Sequence, residues 1–286
     1  MRNYVIAAPP YSKSAGGRAL YALSDLLETR GFQAPVLCHE ACTEHHCISS
    51  FTREMQEEDI VIYPEIVRGN PLRFRRVVRY VLYFPGRLGG TRCFDDNEYV
   101  VTWDKEYIKG VPELTLPLLD RTLFYDAGLP RTHDAIYEHK SCGEKRALDI
   151  PKGVHITMHY PERKQDLVFL LQTTRTLYSY DHNSLLNNEA AACGARVKLV
   201  TDEGIVDYEP VLNFDENKFR RQLDAFIEDT QALLPHKPRS VPCLRGERLM
   251  WYFRLLFHRA AYACTGREEN LRRTLYYKIK LGIPVK

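Results

Sequence analysis

The residues best placed for chemistry lie between Thr176 and Val200, TLYSYDHNSLLNNEAAACGARVKLV. The pattern predicts a strand (176–180), a polar turn (181–184), a helix (185–193) and a second strand (196–200). Asp181, His182, Asn183 and Ser184 are all good helix-starting residues, because their side chains accept from backbone amides that the first helical turn leaves unbonded. Gly194 stands where a helix end needs positive φ. A strand that feeds a helix N-terminus through such a turn points several amides at one spot, which is where an anion binds. Glu189 follows Asp181 by eight residues, about two helical turns, so both carboxylates belong to the same region.

Asp181-His-Asn-Ser-Leu-Leu-Asn-Asn-Glu189, followed by Ala-Ala-Ala-Cys-Gly-Ala-Arg-Val, resembles the two-carboxylate E-x7-E signature of nucleotide-sugar glycosyltransferases with the two-domain B-type fold, mostly retaining enzymes. The resemblance implies that Glu189 holds the ribose hydroxyls of the donor. It implies that the backbone at Ser184 and Leu185 holds the diphosphate, that Asp181 faces the donor sugar, and that Tyr180 borders the same donor site. Asp for the usual first Glu, His-Asn-Ser for a glycine-rich turn, and Arg196 for Pro depart from the family pattern. The plain alternative is an ordinary strand–turn–helix of an α/β protein.

At 286 residues the chain has room for about two domains. A hydrophobic content of 44% with mixed charges is that of a globular protein, and no uncharged apolar run reaches the ~18 residues of a membrane span. Eight cysteines in this length are too sparse for a disulfide scaffold and suggest a reducing, cytoplasmic setting. Charge is uneven: residues 237–286 carry twelve Lys/Arg against three Asp/Glu, the remainder 28 against 34. Such a basic tail suits an anionic partner, either a membrane surface, a nucleic acid or a polyanionic acceptor.

The N-terminal half opens as a nucleotide fold: a strand at 4–8, a loop containing Gly16-Gly17, a helix at 18–30 and a strand at 32–38. No G-x-G-x-x-G is present, so a dinucleotide cofactor is not indicated. A glycine pair after the first strand resembles the one that faces the donor phosphates in B-type glycosyltransferases; otherwise it is a turn using glycine for backbone freedom. Cys38-His-Glu-Ala-Cys-Thr-Glu-His-His-Cys47 is dense in metal-ligand types, but its C-x3-C and C-x4-C spacings lack the second pair of a zinc site. No metal or cofactor is expected.

A strand is predicted at 59–63. Beyond it Glu65 and Asn70 occupy a strand end, where α/β sheets place ligands. An inverting reaction would need a base there, with Glu65 and Asp104 as candidates. A helix is predicted from Pro71, with Phe74, Val77, Val78 and Val81 as its apolar stripe and Arg73, Arg75, Arg76 and Arg79 on its polar face. Strands are predicted at 81–84, 99–103 and 114–118.

The second half starts with a strand at 135–137. By the same resemblance its following loop carries basic side chains for the donor pyrophosphate, with Lys140, Lys145 and Arg146 as candidates. A strand at 154–157 leads to Tyr160, which the resemblance puts beside the base, and a helix follows at 166–172. Helices are also expected at 217–234, 248–263 and 267–281.

The expected architecture is α/β, with two Rossmann-like domains facing across a cleft: an acceptor-side domain at 1–130 and a donor domain at 131–245. Basic amphipathic helices at 246–286 pack back on the first domain. The implied function is transfer of a sugar from a nucleotide diphosphate to a glycan, polysaccharide or modified nucleic acid, retaining and metal-independent, at a cytoplasmic site that the tail can hold against a membrane. Two other classes remain open: a nucleotide-sugar- or glycan-binding protein without turnover, and a nucleic-acid-binding α/β protein.

Overall fold

The structure is a computed structural model that describes residues 1–12, 14–38, 43–90, 92–138 and 150–236. Chain order is β1 (Tyr4–Ala7), α1 (Ala15–Thr29), β2 (Val36–Leu37), β3 (Cys47–Ile48), α2 (Arg53–Glu58), β4 (Ile60–Pro64), β5 (Arg76–Val81), β6 (Tyr99–Thr102), β7 (His133–Tyr137), β8 (Val154–Ile156), α3 (Lys164–Thr173), β9 (Thr174–Ser179), α4 (Leu185–Ala192), β10 (Arg196–Thr201), β11 (Gly204–Asp207) and α5 (Glu216–Gln231). The fold is α/β, in two compact units. Among the described residues, one comprises 1–12, 16–116 and 216–236, the other 117–215 with Ser14 and Ala15. None of the described helices is long and apolar enough to cross a membrane.

The first unit holds a six-stranded sheet in the order β3-β2-β1-β4-β5-β6, parallel throughout. The order reverses between β1 and β4, as in doubly wound sheets. β1, β4 and β5 are buried along their whole length, and β1 and β4 accordingly read as nearly continuous apolar runs. Val5, Ala7, Val61, Tyr63, Leu72, Phe74 and Val77 form one core cluster, with Phe51 and Met55 packed against it. After the second unit the chain returns as α5, although the sequence boundary at 245 grouped this helix with the second half. Phe219, Leu223, Phe226 and Thr230 are its buried side. Phe226 stacks near Tyr4, whose hydroxyl meets Thr230 Oγ1 at 2.8 Å. Tyr99 donates to Asp229 at 2.7 Å, and Arg30 pairs with Asp224.

Three expectations fail in this unit. The stretch from Pro71 is not a helix. Arg73 adopts φ 61, in the left-handed region that breaks a helix, and 76–81 is the strand β5. Its charged residues are not a solvated face: Arg76 donates to the carbonyls of Glu57, Glu58 and Leu233, and Arg79 is fully buried. The residues at 82–84 are therefore loop. The 114–118 stretch is not a strand: beside β6 there is an isolated bridge from Thr102 to Glu113, with the Leu114 amide donating to the Thr102 carbonyl, and Pro112 and Pro117 withhold the donors a strand needs.

The second unit holds a five-stranded sheet in the order β11-β10-β9-β7-β8. β8, β7, β9 and β10 run parallel, and β11 pairs antiparallel with β10. The turn at Asp202–Gly204 thus closes a hairpin whose second strand the sequence did not signal. Phe124, Ala135, Ile156, Leu167, Leu171, Leu177, Leu186, Ala190, Cys193 and Val197 make its core. β8 lies on one side of β7 and β9 on the other, so the strand order reverses between β7 and β9.

Candidate functional site

The predicted strand–turn–helix is present in the second unit, with the turn lying at the carboxyl end of β9. Tyr137, the last residue of β7, is in register with Ser179, and the Tyr180 amide donates to the Tyr137 carbonyl at 2.9 Å. The turn therefore sits at the point of strand-order reversal, where α/β sheets bind ligands. Its shape is fixed from several sides. Ser179 Oγ donates to the Asp181 carbonyl at 3.1 Å and accepts from the Asp181 amide at 3.3 Å. Asn187 is fully buried, and its Nδ2 donates to the carbonyls of Asp181 (2.9 Å) and His182 (3.3 Å). The His182 ring meets the Val200 carbonyl at 3.2 Å.

Ser184 is the N-cap of α4, with φ −93 and ψ 135. Its Oγ accepts from the Leu186 amide at 3.3 Å, and its carbonyl accepts from the Asn187 amide at 3.1 Å. Those bonds use the amides of Leu186 and Asn187, whereas among the described residues none at the head of α4 uses the amides of Ser184 or Leu185. At the other end Gly194, at φ 82, closes the helix as expected. Its amide donates to Ala191 and the Ala195 amide to Ala190. The Arg131 guanidinium donates to the Cys193, Thr174 and Gln172 carbonyls.

Asp181 and Glu189 are each only 3% exposed. A single group senses both: burial pushes the Tyr137 hydroxyl up to about 12, its bond with the Ser184 side chain pulls the other way, and the Asp181 and Glu189 charges push it up further. The charges of two buried carboxylates eight residues apart thus both act on the phenol at the end of β7. One turn further along α4, burial and then the Glu189 charge push the Cys193 thiol up to about 12.

The structure brings Tyr180, Asp181, Ser184, Leu185 and Glu189 together at these strand ends. Tyr180 is half-buried, and burial followed by the Glu138 charge raises its hydroxyl. Tyr160 lies on the turn after β8, 53% exposed, its amide donating to Thr157 Oγ1. Lys140, Lys145 and Arg146 lie outside the described residues, as does the basic tail from 237. Tyr137, Ser179 and Asn187 escaped the sequence reading. A tyrosine closing a short apolar strand, and a polar residue three beyond a helix cap, were the signals available.

Gly16, Gly17 and Glu65 belong to the first unit. Gly16 and Gly17 are in the first turn of α1, where a Cβ on Gly16 would meet only the Leu82 side chain at ordinary contact distance. Glu65 follows β4, is 3% exposed, and accepts from the Leu82 amide at 2.9 Å. Its carboxylate ties the end of β4 to the residue after β5. In the Cys38–Cys47 stretch, 39–42 lie outside the described residues. His45 pairs with Asp25 and His46 with Glu28, both on α1.

Compared with family models, with curated proteins and with solved structures, the chain shows no match to any of them.

Proposed function

We propose that the protein is a glycosyltransferase that moves a sugar from a nucleoside diphosphate to an acceptor hydroxyl, with the donor held at the head of α4. The observation that carries this reading is a pair of buried carboxylates, Asp181 and Glu189, on either side of a serine-capped helix start where the strand order reverses. The amides of Ser184 and Leu185 and the positive end of α4 suit a diphosphate. By the resemblance to the B-type family, Glu189 holds the ribose hydroxyls and Asp181 faces the transferred sugar, a role for which an ionised carboxylate is a strong acceptor. As the glycosidic bond breaks, charge grows on the leaving diphosphate. Fixed amides, with basic side chains such as Lys140 and Lys145, stabilise that charge without a metal.

The return of the chain as α5 onto the first sheet suits the two-domain B-type architecture that this reading carries with it. Gly16, Gly17 and Glu65 then belong to the acceptor-side unit. A retaining transfer needs no protein base, whereas an inverting one would draw on Glu65 or Asp104.

The test is a thermal-shift and calorimetric screen against uridine, guanosine, cytidine and thymidine diphosphate sugars, followed by donor turnover. At least one donor is expected to raise Tm by mass action. Glu189→Gln is expected to lose that shift, and Asp181→Asn to keep binding and lose turnover. Indifference to every donor overturns the reading. Binding without hydrolysis or transfer leaves a nucleotide-sugar-binding protein instead.

A further inference from the structure

A second feature lies on the first unit alone, at the carboxyl edge of its parallel sheet. Tyr83 and Phe84 follow β5, and Tyr107 follows β6. Their rings meet in all three pairings, at centroid distances of 5.3 Å (Tyr83–Phe84), 5.6 Å (Tyr83–Tyr107) and 5.0 Å (Phe84–Tyr107), at 78°, 59° and 68°. Phe84 is 37% exposed, while Tyr83 and Tyr107 are half-buried. Phe84 packs edge-to-face with both tyrosines, which satisfies the ring quadrupoles, and it is the exposed member of the cluster.

The mounting is rigid. Leu82, immediately before the cluster, has its amide on the Glu65 carboxylate and its side chain against Gly16. Thr102 Oγ1 donates to the Asp104 carbonyl at 2.7 Å. That carbonyl also accepts from the Tyr107 amide at 3.1 Å, and Asp104 Oδ1 accepts from the Glu106 amide at 2.9 Å. One tight turn therefore presents Asp104 and Tyr107 together. Loops that follow β1, β4, β5 and β6 converge on this edge, where α/β sheets bind ligands.

We propose that Tyr83, Phe84, Tyr107 and Asp104 form a saccharide-binding subsite for the acceptor, which deepens the glycosyl-transfer reading and rests on it. A pyranose presents a face of polarised C–H bonds and an edge of hydroxyls. The negative face of an aromatic ring attracts the first, and a carboxylate accepts from the second. A nucleobase would also stack on such rings, but the Asp104 charge opposes the phosphates that accompany it, so a sugar ring is the better fit.

The experiment is saturation-transfer NMR on the full chain with methyl α- and β-glycosides of glucose, galactose and mannose, with oligo-dT as comparator and UDP-induced thermal shift measured in parallel. At least one glycoside is expected to bind, with saturation strongest on its ring C–H protons. Phe84→Ala and Tyr107→Ala are each expected to weaken it tenfold or more, Asp104→Asn severalfold, and Phe84→Tyr little. All variants should keep the parent's Tm shift with UDP, which also shows that they are folded. Absence of glycoside binding, binding indifferent to both alanine substitutions, or displacement of the glycoside by oligo-dT overturns the proposal. The glycoside titration needs no donor, so failure of the donor reading appears separately, as loss of nucleotide-sugar binding by the parent chain.

Discussion

Arg79 and Glu98 form an ion pair closed off from solvent. The guanidinium Nη2 stands 2.9 Å from Glu98 Oε1, with the two side chains 0% and 7% exposed. The same guanidinium donates to the carbonyls of Pro64, Val67 and Gly69 and lies over the rings of Tyr63 and Phe94. It thus binds the loop after β4, with Glu65, to the sheet. Arg79→Met would leave Glu98 as a buried charge without its partner and take the guanidinium from the Val67 and Gly69 carbonyls, while the Pro64 carbonyl keeps the Val67 amide. A loss of about 3–5 kcal/mol is expected in urea unfolding, the range for breaking one side of a buried pair. The double variant Arg79→Met/Glu98→Leu should recover part of that loss, since it removes the stranded charge.

This pair also shows where the sequence is silent. Phe74, Val77, Val78 and Val81 match a helical stripe as well as they match a strand buried on both faces, and the arginines between them read as a wet surface. Only the positive φ of Arg73 and the distant partner Glu98 decide the matter, and neither is a local property. The Asp181–Glu189 segment was legible because its signals are all local: helix-starting side chains, a helix of eight residues, and a glycine closing it. Tyr137 was not, because it joins the site through β7–β9 pairing, across about forty residues of chain.

Gly90 tests how closely the loops of the first unit are packed. It has φ 77, and a Cβ there would press on the Glu65 carbonyl oxygen and stand 2.7 Å from Ile66 Cα. Both neighbours are backbone and cannot turn aside. The left-handed conformation alone costs a side chain roughly 1–2 kcal/mol, so Gly90→Ala should lower stability by more than that. Gly89→Ala is the control, because its Cβ meets nothing within 4 Å and only the φ of 90 is strained. Chemical denaturation of the two variants gives the difference directly.

The second unit should be sensitive to alkali. The Tyr137 hydroxyl rises from 10.0 to about 12, chiefly by burial. The Cys193 thiol rises from 9.0 to about 12, by burial and then by the Glu189 charge. In each case the unfolded chain releases its proton first, so the folded state holds more protons between the two values and stability falls as pH rises. The protection is complete below about pH 9 and is lost progressively towards pH 12. Tyr137→Phe and Cys193→Ala should each flatten the decline of Tm with pH in that window, and the double variant should flatten it most. A slope equal to that of the parent chain would contradict the burial of both groups.

The turn before α4 supplies the most direct check on the site, because its geometry depends on two side chains, those of Ser184 and Asn187. Ser184 Oγ caps the helix through Leu186, and Asn187 Nδ2 holds the carbonyls of Asp181 and His182. Ser184→Ala removes one cap bond and should cost about 1 kcal/mol. Asn187→Ala takes the amide donor from the His182 carbonyl, leaves the Asp181 carbonyl with Ser179 Oγ, and opens a small void, so a larger loss of about 1–3 kcal/mol is expected. The two variants separate in hydrogen exchange. Ser184→Ala should speed exchange at Leu186, in the first turn of α4. Asn187→Ala should speed it across 180–184 as well, since the turn then loses the amide that spans it. If the turn is shaped to hold a diphosphate, adding UDP should slow exchange at Ser184 and Leu185 in the parent chain and much less in Asn187→Ala. Equal protection in both would mean that the turn's fixed geometry is not what the ligand uses.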